Sequence, residues 1–203
     1  MPRRFHSSVF LSGIAIAGAL LSGGALAEEP PRWLRSESFE SSDPEKKPRH
    51  VPISALEATI NRAEWSDGIE VSVEHCGRDL CLDLISIPGE TPLVAVVRVI
   101  FIVGRLTMEE FEALKLVDEG EVVYVIEGDR IREIGAAFVW GEPDNGQNPI
   151  HLNRMFVDAV RLPDGSRANP RFTGSLLGDT NLSMRFLGED FARNFVLSAL
   201  EPR

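Results

Sequence analysis

Cysteine and histidine are scarce in this 203-residue chain, with two of the former and four of the latter. That scarcity removes the Cys- and His-rich spacings that hold zinc, and no metal site or cofactor is expected. The loops and helices that announce common chemistries are missing as well. There is no Walker A loop, no G-x-G-x-x-G, no H-E-x-x-H and no G-x-S-x-G. Basic residues are also in deficit: 21 Lys and Arg stand against 31 Asp and Glu, for a formal net charge of −10. No basic stripe with interleaved aromatics occurs, which argues against nucleic acid and against an anionic membrane surface as partners. No apolar run is long enough to span a bilayer comfortably, so no integral membrane anchor is expected.

What is present begins with residues 1–27. Arg3 and Arg4 make a basic start, residues 9–21 are apolar apart from Ser and Gly, and Ala25, Leu26 and Ala27 form a small-x-small cleavage site. This is the layout of a secretory signal peptide cut after Ala27. No Cys lies near Ala27, so lipid attachment at the cut is not expected. The residues after the arginine pair, Phe5, His6 and Ser7, fit a twin-arginine signal poorly. The expected location is therefore periplasmic or extracellular. Residues 1–27 contain no acidic side chain, so the processed chain is more acidic still.

An even pair of cysteines in an exported chain reads as a disulfide. Gly77, Arg78, Asp79 and Leu80 separate Cys76 from Cys81, and the flanking segments alternate in polarity. The pattern predicts a hairpin over residues 69–87 with the cysteines facing each other across its loop. A redox-active pair is the alternative, although the spacing is not C-x-x-C.

Residues 28–52 are rich in Pro, Ser and Glu and are expected to form a flexible arm. Trp33, Leu34 and Phe39 give this arm an apolar set for docking on its own domain or on a protein partner. Residues 53–203 are expected to be a single α+β domain with a central mixed or antiparallel sheet, the disulfide-stapled hairpin and flanking helices. Pro52 opens a helix carrying Ile53, Leu56, Ile60 and Ala63 at helical spacing. Residues 93–103 are rich in Val and Ile and predict a strand buried on both faces. Arg98 in its middle requires an ion partner or an outward-reaching stem, with an anionic ligand as the alternative. Thr107 followed by Glu110 predicts a capping box and a helix bearing Phe111, Leu114 and Leu116. A strand follows over residues 121–127, and Asp129 caps a helix with Ile131, Ile134 and Phe138. Residues 141–147 form a loop, in which Asp144, Asn145 and Gly146 read as a turn rather than a calcium loop. Asn148 and Pro149 look like a cap and first helical residue, residues 163–165 are a turn, and a last helix spans residues 179–200 with a break at Gly188.

Two histidines are candidates for chemistry. His75 falls on the apolar face of the hairpin next to Cys76, where it is either a half-buried structural side chain or a general base. His151 and Arg154, three apart on a helix starting at Pro149, share a face with the helix N-terminus at Asn148. Asn148, His151 and Arg154 are therefore the candidate ligand-binding set for a carboxylate or phosphate. Two functions compete. One is a non-enzymatic exported module that binds a ligand or a partner protein. The other is a metal-independent hydrolase or lyase pairing His75 or His151 with Glu74, Asp83 or Asp144.

Overall fold

In the computed structural model, which describes residues 50–138 and 149–200, four strands form one mixed sheet in the order β1-β2-β3-β4. They are β1 (Glu70–Cys76), β2 (Asp79–Ser86), β3 (Ala113–Asp118) and β4 (Glu121–Glu127). β1 and β2 form an antiparallel hairpin, β3 and β4 form a second, and β2 pairs in parallel with β3. A parallel pair cannot be joined by a tight turn. The crossover is made by helix α2 (Leu93–Leu106). The fold is α+β, as the sequence led us to expect.

The crossover segment corrects one expectation. Residues 93–103 are not a buried strand but most of this 14-residue helix, and residues 99–106 are all buried within it. A helix covered on nearly every side loses the polar stripe that reveals a 3.6-residue period, and β-branched residues then mimic a strand. Arg98 accordingly does not share a face with Val96 and Ile100. It lies one turn from the exposed Val94 and donates to the Trp65 carbonyl at 2.6 Å and to the Asp67 carboxylate.

A second correction concerns residues 107–116. Thr107 ends α2 rather than starting a helix, and its hydroxyl donates to the Val103 carbonyl at 2.6 Å. Phe111 is in a connecting segment, while Leu114 and Leu116 lie in β3. The glutamate that does cap a helix is the neighbour of the expected Glu110: Glu109 accepts the Ile53 N–H at 2.8 Å. It thereby caps helix α1 (Ile53–Asn61), whose own cap residue, Pro52, makes no side-chain bond.

The hairpin forms where expected, but its register differs. Cys76 pairs with Asp79 and Cys81 with Glu74. The loop is thus the pair Gly77 and Arg78, and the disulfide, with Cα atoms 5.8 Å apart, crosses diagonally rather than between directly opposed residues. Both cysteines lie on the half-exposed face with Glu74 and Asp83, opposite Val71, Val73, Leu80, Leu82 and Leu84, which are buried.

Helix α3 (Gly128–Ala137) follows β4 directly, with Ile131 and Ile134 buried as their spacing predicts. It crosses α2 at glycines on both sides. A Cβ on Gly104 would lie 2.2 Å from the Ile131 carbonyl oxygen, and one on Gly135 would lie 2.5 Å from the Arg105 nitrogen. Helix α4 (Pro149–Ala159) begins at the expected proline, while Asn148 and the expected loop over residues 141–147 lie outside the described residues.

The last helical segment starts earlier than expected and has no break at Gly188. It runs as α5 (Leu176–Arg185), a π-helical stretch (Phe186–Val196) and α6 (Leu197–Leu200). The wider π turn brings Phe186, Phe191 and Phe195, five and four residues apart, to the core. Ring contacts then run from Phe101 of α2 through Phe156 of α4 and Phe191 to Tyr124 of β4, with centroids 5.5–5.6 Å apart. Among the described residues, no helix is long and apolar enough to cross a membrane.

Candidate functional site

One end of the sheet gathers the β1–β2 turn, the entry to β3 and the exit of β4 into α3. This follows from the strand directions, because a parallel β2–β3 pair flanked by antiparallel neighbours places those three junctions side by side. Backbone bonds continue the ladder across them: Glu112 N–H donates to the Arg78 carbonyl at 3.0 Å, and Gly128 N–H donates to the Glu112 carbonyl at 2.8 Å. Gly128 is required there, since a Cβ would fall 2.0 Å from the Phe111 carbonyl oxygen.

Above this junction lies a groove of about 570 Å³ lined by His75, Arg78, Glu110, Phe111, Glu112, Glu127, Asp129 and Arg132, among others. Both of its arginines make an ion pair, although Arg132 Nη1 has no hydrogen-bond partner. Arg78 pairs with Glu112 at 2.7 Å, and Arg132 pairs with Asp129 at 2.6 Å while its guanidinium lies 5.2 Å over the Phe111 ring. Glu110 and Glu127 make no ion pair among the described residues. The groove thus carries uncompensated negative charge above an aromatic floor.

Asp129 and Arg132 also line a second cavity of about 370 Å³, together with His50, Gly104, Arg105, Thr107, Glu133 and Ala136. The two cavities therefore adjoin. His50 Nε2 lies 3.1 Å from Arg105 Nη1. Burial first, and the neighbouring guanidinium second, hold its pKa below the ordinary histidine value. His50, expected in the free arm, is thus fixed to the domain, and Val51 bridges to Thr107 beside it.

His75 lines the larger groove but is exposed rather than half-buried, and it makes no hydrogen bond to a carboxylate among the described residues. Strand alternation places Glu74 and Asp83 on the opposite face of the sheet from it. Asp144 lies outside the described residues. His151 is exposed on the first turn of α4. Arg154 is turned inward: its Nη2 lies 3.0 Å from the buried Asp179 carboxylate, and its guanidinium lies 5.6 Å over the Phe172 ring.

Asp179 was not singled out from sequence, yet it organises its whole neighbourhood. Oδ1 accepts the Thr173 N–H at 2.8 Å and the Thr173 hydroxyl at 3.0 Å, and Oδ2 accepts the Gly174 N–H at 3.0 Å beside Arg154. Burial pushes this carboxyl up, but those donors and the Arg154 charge together outweigh it and hold its pKa below the ordinary carboxylate value. Both oxygens of the carboxylate are thus filled, while Arg154 Nε is buried without a hydrogen-bond partner, and the carboxylate serves as architecture around the α5 N-terminus.

The groove residues Glu110, Phe111, Glu127 and Arg132 also escaped the sequence. Glu110 and Phe111 lie in the segment between α2 and β3, Glu127 ends β4 and Arg132 is on α3, and only the strand order brings them together. The local signal was the adjacency of Gly128 and Asp129 at a strand-to-helix junction. Among the described residues, no group of three or more His, Cys, Asp or Glu side chains is arranged to hold a metal ion. No family model, curated protein or solved structure matches this chain.

Proposed function

We propose that this chain is exported, loses residues 1–27, and works outside the cytoplasm as a non-enzymatic binding module whose recognition face is the sheet-end groove. The observation that carries this is the groove's charge state. Arg78 pairs with Glu112 and Arg132 pairs with Asp129, with Arg132 Nη1 left without a hydrogen-bond partner, while Glu110 and Glu127 make no ion pair among the described residues and leave the lining net acidic. The ligand class that answers such a face is a cationic peptide segment. The disulfide between Cys76 and Cys81 supports an oxidising compartment, and the basic, apolar and small-residue succession of residues 1–27 supports export.

The test is an NMR titration of residues 28–203 with hexalysine and, separately, hexaglutamate. Hexalysine should shift the amides of Gly77, Glu112 and Gly128 saturably, and Glu127→Gln should weaken the effect several-fold. Equal shifts from both peptides, or none at those amides, would overturn the assignment of the groove.

A second reading, a hydrolase using His75 as base, is favoured only by the presence of His75 on the groove wall. It requires that a turnover be found and that His75→Ala abolish it.

A further inference from the structure

Residues 50–53 form a strap across the C-terminal end of α2. His50 Nε2 lies 3.1 Å from Arg105 Nη1 on the wall of the smaller cavity. Val51 N–H donates to the Leu106 carbonyl at 2.9 Å, and the Val51 carbonyl accepts the Met108 N–H at 3.2 Å. Ile53 N–H donates to Glu109 at 2.8 Å. The strap is thus tied by backbone bonds along its length and by one imidazole at its outer end.

That imidazole contact admits one protonation state. A guanidinium has donors and no acceptor, so Nε2 must offer its lone pair to Arg105. A proton on Nε2 would set two cations head to head at 3.1 Å. The carboxylates around the cavity are committed elsewhere. On α3, Asp129 pairs with Arg132 at 2.6 Å and Glu133 pairs with Arg130. Beyond α2, Glu109 is engaged by the Ile53 N–H.

We infer that His50 is the acid-sensitive pin of this strap: protonation detaches its ring from Arg105, loosens residues 50–53 and opens the smaller cavity. Burial and the Arg105 charge disfavour the charged ring, and they outweigh the Arg105 and Leu106 carbonyls, which favour it. The contact therefore holds fully above the free histidine value of about 6.5 and is lost as pH falls through the lower value of the strapped form. Each unit between the two values makes opening about tenfold more frequent in acid.

Amide hydrogen exchange followed by NMR on residues 28–203 tests this, with rates normalised for the intrinsic effect of pH on exchange. Between about pH 7.5 and about pH 5, protection of the Val51 and Met108 amides should fall several-fold. The midpoint should coincide with the pKa read from the His50 ring protons, below the free value. The Ile134 amide, inside α3, should keep its protection throughout. His50→Gln should abolish the fall, since its side-chain oxygen can accept from Arg105 without taking up a proton. This variant also separates His50 from His75 on β1 and His151 on α4. A His50 pKa at or above the free value, equal protection at both pH values, an undiminished fall in His50→Gln, or a parallel fall at Ile134 would each overturn the inference. Should His50→Gln lack protection at both pH values, the parent decides: a midpoint that matches the His50 ring supports the pin, and one that does not overturns it.

Discussion

The side chain of Asn61 pairs with both backbone groups of Val71. Its Nδ2 donates to the Val71 carbonyl at 2.8 Å, and its Oδ1 accepts the Val71 N–H at 2.9 Å. One helical turn earlier, Glu57 accepts the Val73 N–H at 3.1 Å. Helix α1 therefore closes the free edge of β1 as a fifth strand would. At the other edge Arg161 does the same by ordinary backbone pairing, exchanging both bonds with Val125 at 2.9 Å. Each border of the sheet is thus covered at its middle by a neighbouring segment.

Asn61→Ala should expose the first of these borders. An unsatisfied buried donor or acceptor costs about 1–3 kcal/mol, and water at the edge recovers part of it. The expected loss is about 2 kcal/mol in urea denaturation, together with concentration-dependent self-association in light scattering. An unchanged midpoint and a monomeric profile would show that Glu57 alone protects the edge.

The crossing of α2 and α3 sets two opposed effects against each other. Gly104→Ala or Gly135→Ala raises helix propensity by about 1 kcal/mol. The added Cβ, however, meets backbone atoms 2.2 Å or 2.5 Å away, which no rotamer change relieves. Overpacking of about 1–3 kcal/mol or more wins, so both variants should melt lower by several degrees. Gly188→Ala is the control: nothing lies within 4 Å of its Cβ position, and it should melt at the same temperature or higher.

Asp179 makes the stability depend on acid. Its carboxyl has a lowered pKa in the folded state, so the unfolded chain takes up its proton first as pH falls. Its contribution is complete above the unfolded value of about 3.9 and is lost as pH drops through the lower folded value. Asp179→Asn should be less stable at neutral pH, with Arg154 left without its carboxylate. It should also show a shallower decline below about pH 4. Parallel acid-denaturation slopes for the two proteins would contradict this account.

Reduction of Cys76–Cys81 should have a modest effect. The ring it closes is short, and chain entropy assigns it about 2 kcal/mol. Circular dichroism with and without reductant should show a lower melting temperature with the fold retained. Unfolding at room temperature on reduction would show instead that the hairpin tip governs the core.

The legibility of the chain followed the contrast between its faces. β4 was readable from Glu121 to Glu127 because both ends carry charge and the interior is β-branched. α1 and α3 kept a polar side, so Ile53, Leu56 and Ile60, and then Ile131 and Ile134, displayed their period. α2 had no such side. Its length beyond the usual strand, and Pro92 at its N-terminus, were the available clues. The Thr107 pattern misled because a capping box is local, whereas Glu109 caps a helix 56 residues away. The groove was illegible for the same reason, since its carboxylates come from segments that only sheet order unites.

Ile87, just past the first hairpin, donates its N–H to the Ala199 carbonyl at 3.1 Å. Asn194 likewise reaches back to the Tyr124 hydroxyl at 3.1 Å, and Ser198 to Asp118. The last turns of the chain are thus the keystone of a sheet assembled from much earlier residues. A polypeptide that arrives from its N-terminus can form both hairpins, yet Tyr124 of the second lacks its stacking partner until Phe191 follows. A nascent chain stalled before residue 190 would present aggregation-prone surface to any holding factor it meets.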